Sequence, residues 1–84
     1  VPGEPVRVVY PGKVVFAAPF EGYGPTAVVQ HAGRAFTLYA GLESLGVRRG
    51  DLLSLSSELG RAGASLYFEI RVDNRPEDPR HWAR

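Results

Sequence analysis

His31 and His81 are the only histidines in a chain of 84 residues that has no cysteine and no methionine. A structural zinc site takes four ligands drawn from cysteine and histidine, so these two cannot build one, and a catalytic site needs three protein ligands beside an open position. Without cysteine there is neither a thiol nucleophile nor a disulfide framework, and redox compartment leaves no mark. Asp51, Asp73, Glu77 and Asp78 fall between turns without calcium-loop spacing. Gly60-Arg61-Ala62-Gly63 lacks the lysine, the length and the following helix of a phosphate-cradling loop, and reads as a turn. The remaining candidate is Ser65-Leu66-Tyr67-Phe68-Glu69-Ile70-Arg71, where polar and apolar residues alternate. Its chemistry is that of recognition, since tyrosine and arginine are enriched where protein interfaces concentrate their binding energy.

Alternation of this kind belongs to a strand with one face inward, so Ser65 to Val72 is the strongest strand of the chain. Leu66, Phe68 and Ile70 are expected in the core, with Ser65, Tyr67, Glu69 and Arg71 on an open sheet face. Ten glycines and seven prolines punctuate the other valine- and leucine-rich runs at short intervals, the pattern of an all-β domain with tight turns. Strands are predicted at Val6 to Tyr10, at Lys13 to Ala18, at Thr26 to His31 paired with Ala35 to Ala40, and at Leu52 to Ser56. Along Lys13 to Ala18, Val14 and Phe16 should share one face and Val15 and Ala17 the other. In the hairpin between Thr26 to His31 and Ala35 to Ala40, Gly33 takes the positive φ angle. Tyr23, between Gly22 and Gly24, should stand at a loop tip. Gly41 to Leu45 reads as a short helical turn, because Leu42 and Leu45 are three apart. Asp73-Asn74-Arg75 reads as a turn, and Pro76 to Arg84 as an extended tail that Trp82 packs back on the domain.

The formal net charge of +1 gives no field to gather nucleic acid or an anionic membrane. No apolar run is long enough to span a bilayer, no charged n-region is followed by an apolar h-region, and any export signal or anchor is expected upstream of Val1. A chain of this length buries roughly 60% of its unfolded surface, enough for a single small core.

Taken in order, Gly12-Lys13-Val14-Val15-Phe16-Ala17, Gly22-Tyr23-Gly24, Val28-Val29-Gln30-His31, Thr37-Leu38-Tyr39-Ala40, Gly50-Asp51 and Ser65 to Arg71 resemble the LytM domain. That is the β-sheet fold of the lysostaphin-type zinc metallopeptidases, which cut peptidoglycan cross-bridges. The resemblance implies an all-β architecture, a small antiparallel sheet or sandwich of barrel-sandwich type. It also implies where catalysis would sit. Active members carry a histidine where this chain has Gly41, and His-Leu-His-Phe-Glu where it has Ser65-Leu66-Tyr67-Phe68-Glu69. Tyr67 then stands at a zinc ligand, and Gly41 and Ser65 at the two histidines that polarise water and stabilise the intermediate; the other two ligands would precede Val1. Phenol, with a pKa near 10, is a poor zinc ligand at neutral pH. The expectation is therefore no catalytic residue, no metal and no cofactor.

Ser65 to Arg71 is also similar to the segment found in EnvC-type murein hydrolase activators, which bind and switch on N-acetylmuramoyl-L-alanine amidases during cell division. The resemblance implies a degenerate LytM domain over residues 1–84, the C-terminal part of a larger extracytoplasmic envelope protein. Its partner would be a cell-wall amidase or peptidoglycan, with neither nucleic acid binding nor direct membrane insertion. The expected partner-binding groove comprises Tyr23, Tyr39, Gly41, Ser65, Tyr67, Glu69 and Arg71. Two plainer readings stand beside it: a solvated sheet face with a Glu69–Arg71 pair of little energetic weight, and a purely structural domain. For His31, a structural hydrogen-bonding role is expected.

Overall fold

The computed structural model describes residues 3–72 and 75–77. The strands are β1 (Pro5–Arg7), β2 (Gly12–Phe20), β3 (Gly24–His31), β4 (Ala35–Leu45), β5 (Leu52–Leu53), β6 (Glu58–Val72) and β7 (Arg75–Glu77). They form one antiparallel sheet in the order β1-β6-β4-β3-β2-β5, with β7 added on β6. A 3-10 turn, Ala32–Arg34, joins β3 to β4, and Gly33 adopts φ +75° there as the hairpin requires. The all-β, antiparallel expectation holds.

The core collects on one face of the sheet. Val14, Val29, Thr37, Leu59 and Ile70 are its largest fully buried side chains. Val6, Val8, Tyr39 and Leu42 complete it, with Ala17, Leu45, Val47, Leu53 and Phe68 packed at its margin. Each fully buried aliphatic side chain contributes about 1.5–3 kcal/mol.

Four local expectations are corrected. Gly41 to Leu45 is no helical turn but the end of β4, where Leu42 opposes Ala62 and Leu45 opposes Gly60. Register shifts on either side of Leu42 turn it and Leu45 both toward the core, so their spacing of three is that of an irregular strand. Gly60 to Gly63 is likewise strand, continuous with Ser65 to Val72 inside the long β6. At Gly60 a Cβ would come 2.1 Å from the Ser44 carbonyl oxygen, so this glycine serves close backbone approach rather than a turn. In β2 a bulge between Val14 and Phe16 reverses the alternation: Val14 and Ala17 face the core, while Val15 and Phe16 line the opposite face. At the edge, the strand expected over Leu52 to Ser56 pairs only as β5, Leu52–Leu53, and Leu52 and Leu55 are 82% and 63% exposed.

The first strand is also shorter than expected, ending at Arg7. Asp73-Asn74 and the tail beyond Glu77, with His81 and Trp82, lie outside the described residues.

Candidate functional site

The face of the sheet opposite the core carries a cleft of about 220 Å³, lined by Phe20, Tyr23, Thr26, Leu38, Ala40, Tyr67, Glu69 and Arg71. Strand pairing sets this list. Ala40 lies opposite Tyr67, Leu38 opposite Glu69, and Phe36 opposite Arg71, so these pairs project to one side of the ladder. Thr26, Leu38 and Ala40 make the floor, β6 supplies one wall, and the β2–β3 hairpin supplies the other. Gly22 and Gly24, at φ +84° and +74°, permit the tight turn of that hairpin. The Tyr23 N–H donates to the Phe20 carbonyl at 2.9 Å and holds the ring at the rim.

The rim is aromatic from the β2–β3 hairpin across to Tyr67. Ring centroids are 6.1 Å apart for Phe16–Phe20, 5.8 Å for Phe20–Tyr23 and 6.3 Å for Tyr23–Tyr67, within the range of favourable aromatic contact. Toward β2 the cleft runs into an apolar hollow of Val15, Phe16, Val28 and their neighbours. Toward the start of β6 it opens into a depression shared by Gly22, Tyr23, Gly41, Ala64, Ser65, Leu66 and Tyr67.

Within the wall, Arg71 grips Glu69 with two parallel bonds, Nε to Oε1 at 3.1 Å and Nη2 to Oε2 at 3.2 Å. Glu69 is the more sheltered partner and Arg71 the more exposed. The carboxylate therefore orients the guanidinium, whose remaining N–H donors are left to meet an acceptor in the cleft.

Tyr23, Gly41, Ser65, Tyr67, Glu69 and Arg71 thus border one continuous surface. Tyr39 does not. It is 2% exposed and sits on the other face, opposite Phe68, with ring centroids 5.1 Å apart. The reason is strand parity, since the residue across from Tyr67 is Ala40. The Tyr39 hydroxyl is buried without a hydrogen bond of good geometry. Its burial raises its pKa, which the nearby Thr37 side chain and Val9 backbone offset only in part. Phe16, Phe20, Thr26, Val28, Leu38 and Ala40 were missed by sequence reasoning, although once β3 and β4 are paired their alternation identifies them.

Buried His31 bridges elements as a structural residue. Its Nδ1 lies 2.8 Å from the Pro11 carbonyl, which can only accept, so Nδ1 carries the proton. Nε2 then accepts from the Thr37 hydroxyl at 2.8 Å. Neither atom faces the cleft.

Gly41, Ser65 and Tyr67, the positions to which the LytM resemblance assigns histidines, come together in the one depression. Here they offer no side chain, a hydroxyl and a phenol, which do not fit a zinc ion or a water-polarising pair. Among the described residues no group of three or more histidine, cysteine, aspartate or glutamate side chains is placed to hold a metal.

A family model described as Peptidase family M23 matches residues 1–79. The murein hydrolase activator EnvC of Escherichia coli is 36% identical over 87 residues, which cover 95% of this chain and 21% of EnvC. The crystal structure of a zinc containing peptidase from Vibrio cholerae superposes with a TM-score of 0.85 at 31% identity, covering 90% of this chain and 26% of that one. The SpoIIQ–SpoIIIAH complex gives a TM-score of 0.86 at 27% identity, covering 92% of this chain and 60% of the chain matched. The chain therefore spans about a fifth of EnvC (21%) and about a quarter of the peptidase (26%).

Proposed function

This chain belongs to peptidase family M23, and we propose that it is a non-catalytic LytM domain that binds and activates a cell-wall N-acetylmuramoyl-L-alanine amidase through the cleft. The observation that carries this reading is the content of the depression. Gly41, Ser65 and Tyr67 share it, and at these positions, where the LytM resemblance would put the family's catalytic histidines, there is not one imidazole. Loss of general acid–base groups alone costs a factor of roughly 10²–10⁴ in rate, before any loss of metal is counted. In place of reactive groups the cleft offers an aromatic rim, an apolar floor and an oriented arginine, a composition suited to protein contact. The likeness to EnvC supports an activator, and the SpoIIQ–SpoIIIAH complex is an instance of a similar fold in a protein assembly.

Activation needs no chemistry from this chain. A partner with an active and an autoinhibited state shifts toward whichever state the cleft binds better, by an amount equal to the differential affinity. The site of action is the extracytoplasmic cell wall, as the EnvC likeness suggests. Among the described residues no helix is long and apolar enough to cross a membrane.

A second reading keeps the inherited substrate cleft as a non-hydrolytic binding site for peptidoglycan stem peptides, and it draws on the likeness to the Vibrio cholerae peptidase. Pull-down with the cognate amidase and sedimentation on purified sacculi separate the two. Tyr67→Ala and Arg71→Glu should each weaken amidase capture by about tenfold or more, the scale of an interface anchor, with the melting temperature unchanged. Capture unaffected by both variants would sink the cleft as the docking site. Stoichiometric zinc in the full-length protein, with turnover of peptidoglycan, would overturn the non-catalytic assignment.

A further inference from the structure

The geometry points to Gly41 as a main-chain latch that seals β4 against β6 and holds the Tyr23 turn over Tyr67, leaving no room for a histidine at this position. At this position the backbone itself excludes an added side chain.

The β4–β6 ladder pairs Ala40 with Tyr67 and then Leu42 with Ala62, so Gly41 alone faces the stretch of β6 between those partners. That excursion folds back on it. A Cβ at Gly41 would lie 2.2 Å from the Ser65 carbonyl oxygen and 3.1 Å from its carbon, and a Cβ at Gly63 would lie 2.4 Å from the Gly41 oxygen. The obstructing atoms are all main chain, which cannot rotate away as a side-chain tip would. Gly41 also adopts φ +74°, a left-handed conformation unfavourable to any L side chain. Its amide donates to the Tyr23 carbonyl at 2.9 Å, and this bond ties the tip of the β2–β3 hairpin to β4. The Tyr23 ring is thereby kept 6.3 Å from that of Tyr67.

Gly41 is accordingly a positioning residue for the cleft. Restoring the family's histidine would require β4 and the Ser65 segment to separate, which would release the Tyr23 turn and dismantle the aromatic rim. The latch deepens the binding reading of the cleft, yet it stands on main-chain geometry whatever the partner proves to be.

Gly33 supplies the control, because it shares the positive φ, +75°, but has no atom within 4 Å of a built Cβ. Asparagine tolerates left-handed backbone, so Gly33→Asn should melt within a few degrees of the wild type. Gly41→Asn and Gly41→His should lose at least about 10 °C or fail to fold, the extreme of the same effect. Where Gly41→Asn folds, NOEs between the Tyr23 and Tyr67 rings should disappear. In the wild type itself, hydrogen exchange should find the Gly41 amide protected. A Gly41→His protein that melts like Gly33→Asn and keeps the Tyr23–Tyr67 NOEs would overturn the latch, as would a freely exchanging Gly41 amide in the wild type. A protected amide in a protein that captures no amidase would count against the activator reading alone.

Discussion

The two faces of the β3–β4–β6 ladder are built from adjacent residues of the same strands, and both are largely apolar. On one face, Val29, Thr37 and Ile70 follow one another across the sheet and are wholly enclosed, with Tyr39 and Phe68 beside them. One residue along each strand, Val28, Leu38 and Glu69 form the parallel row on the cleft face, next to a Tyr67 that is 47% exposed. The enclosed face is what folding requires. The cleft face is apolar without being enclosed, with Phe16, Val28 and Leu38 half-buried and Phe20 exposed. A polar outer face would have served the sheet as well, so the apolar character of Phe16, Phe20, Val28 and Leu38 supports the binding role proposed for the cleft.

The strongest test of this distinction is a pair of truncations on neighbouring strands. Ile70→Ala should destabilise by about 3–4 kcal/mol in urea unfolding, as core deletions of this size do. Leu38→Ala, on the cleft face, should cost about 1 kcal/mol or less and act on partner capture instead. Equal costs would break the comparison and make the cleft floor a second core.

A smaller effect separates the polar groups of the two faces. Thr37→Val keeps the shape of the side chain but leaves His31 Nε2 buried without its donor, so a loss of about 1–3 kcal/mol is expected. Ser65→Ala, exposed in the cleft, should stay within about 0.5 kcal/mol. Should the two variants unfold at the same urea concentration, the His31–Thr37 bond has no structural weight.

The inner and outer sets of β6 were legible because its second half mixes polar with apolar residues. Phe68 and Ile70 go inward, and Tyr67, Glu69 and Arg71 line the cleft, although Leu66 remains 43% exposed. Along β4 the same rule has no purchase. Ala35, Thr37 and Tyr39 are no more hydrophobic than Phe36, Leu38 and Ala40, so only pairing with β6 decides which set is buried, and Tyr39 was placed on the wrong face. Gly60 and Gly63 misled for a different reason. Locally a glycine signals a turn, whereas here each admits the backbone of a strand distant in sequence, at Ser44 and Gly41. The bulge at Val15 is equally a matter of pairing with β3. The convergence of Gly41, Ser65 and Tyr67 was expected from family resemblance alone, since no local spacing connects residue 41 with residue 65.

The two tyrosines differ in the same way as the faces they occupy. Tyr39 is buried with a hydroxyl that lacks a well-formed partner, and Tyr67 is half in solvent. Tyr39→Phe removes an unsatisfied polar atom and should change stability by less than about 1 kcal/mol, in either direction. Its signature lies at alkaline pH. Because burial raises the Tyr39 pKa in the folded chain, the unfolded chain ionises first, near the ordinary value of about 10. Above that pH the unfolded state binds fewer protons than the folded one, so unfolding free energy falls as pH rises. This contribution is whole below pH 10 and is lost progressively toward the raised folded pKa. Unfolding curves compared at pH 8 and pH 11 should therefore show a smaller alkaline loss in Tyr39→Phe than in the wild type. An identical alkaline loss in both would mean that the Tyr39 hydroxyl reaches water, and the division of β4 into an enclosed and an open face would fail at the residue where sequence parity was hardest to read.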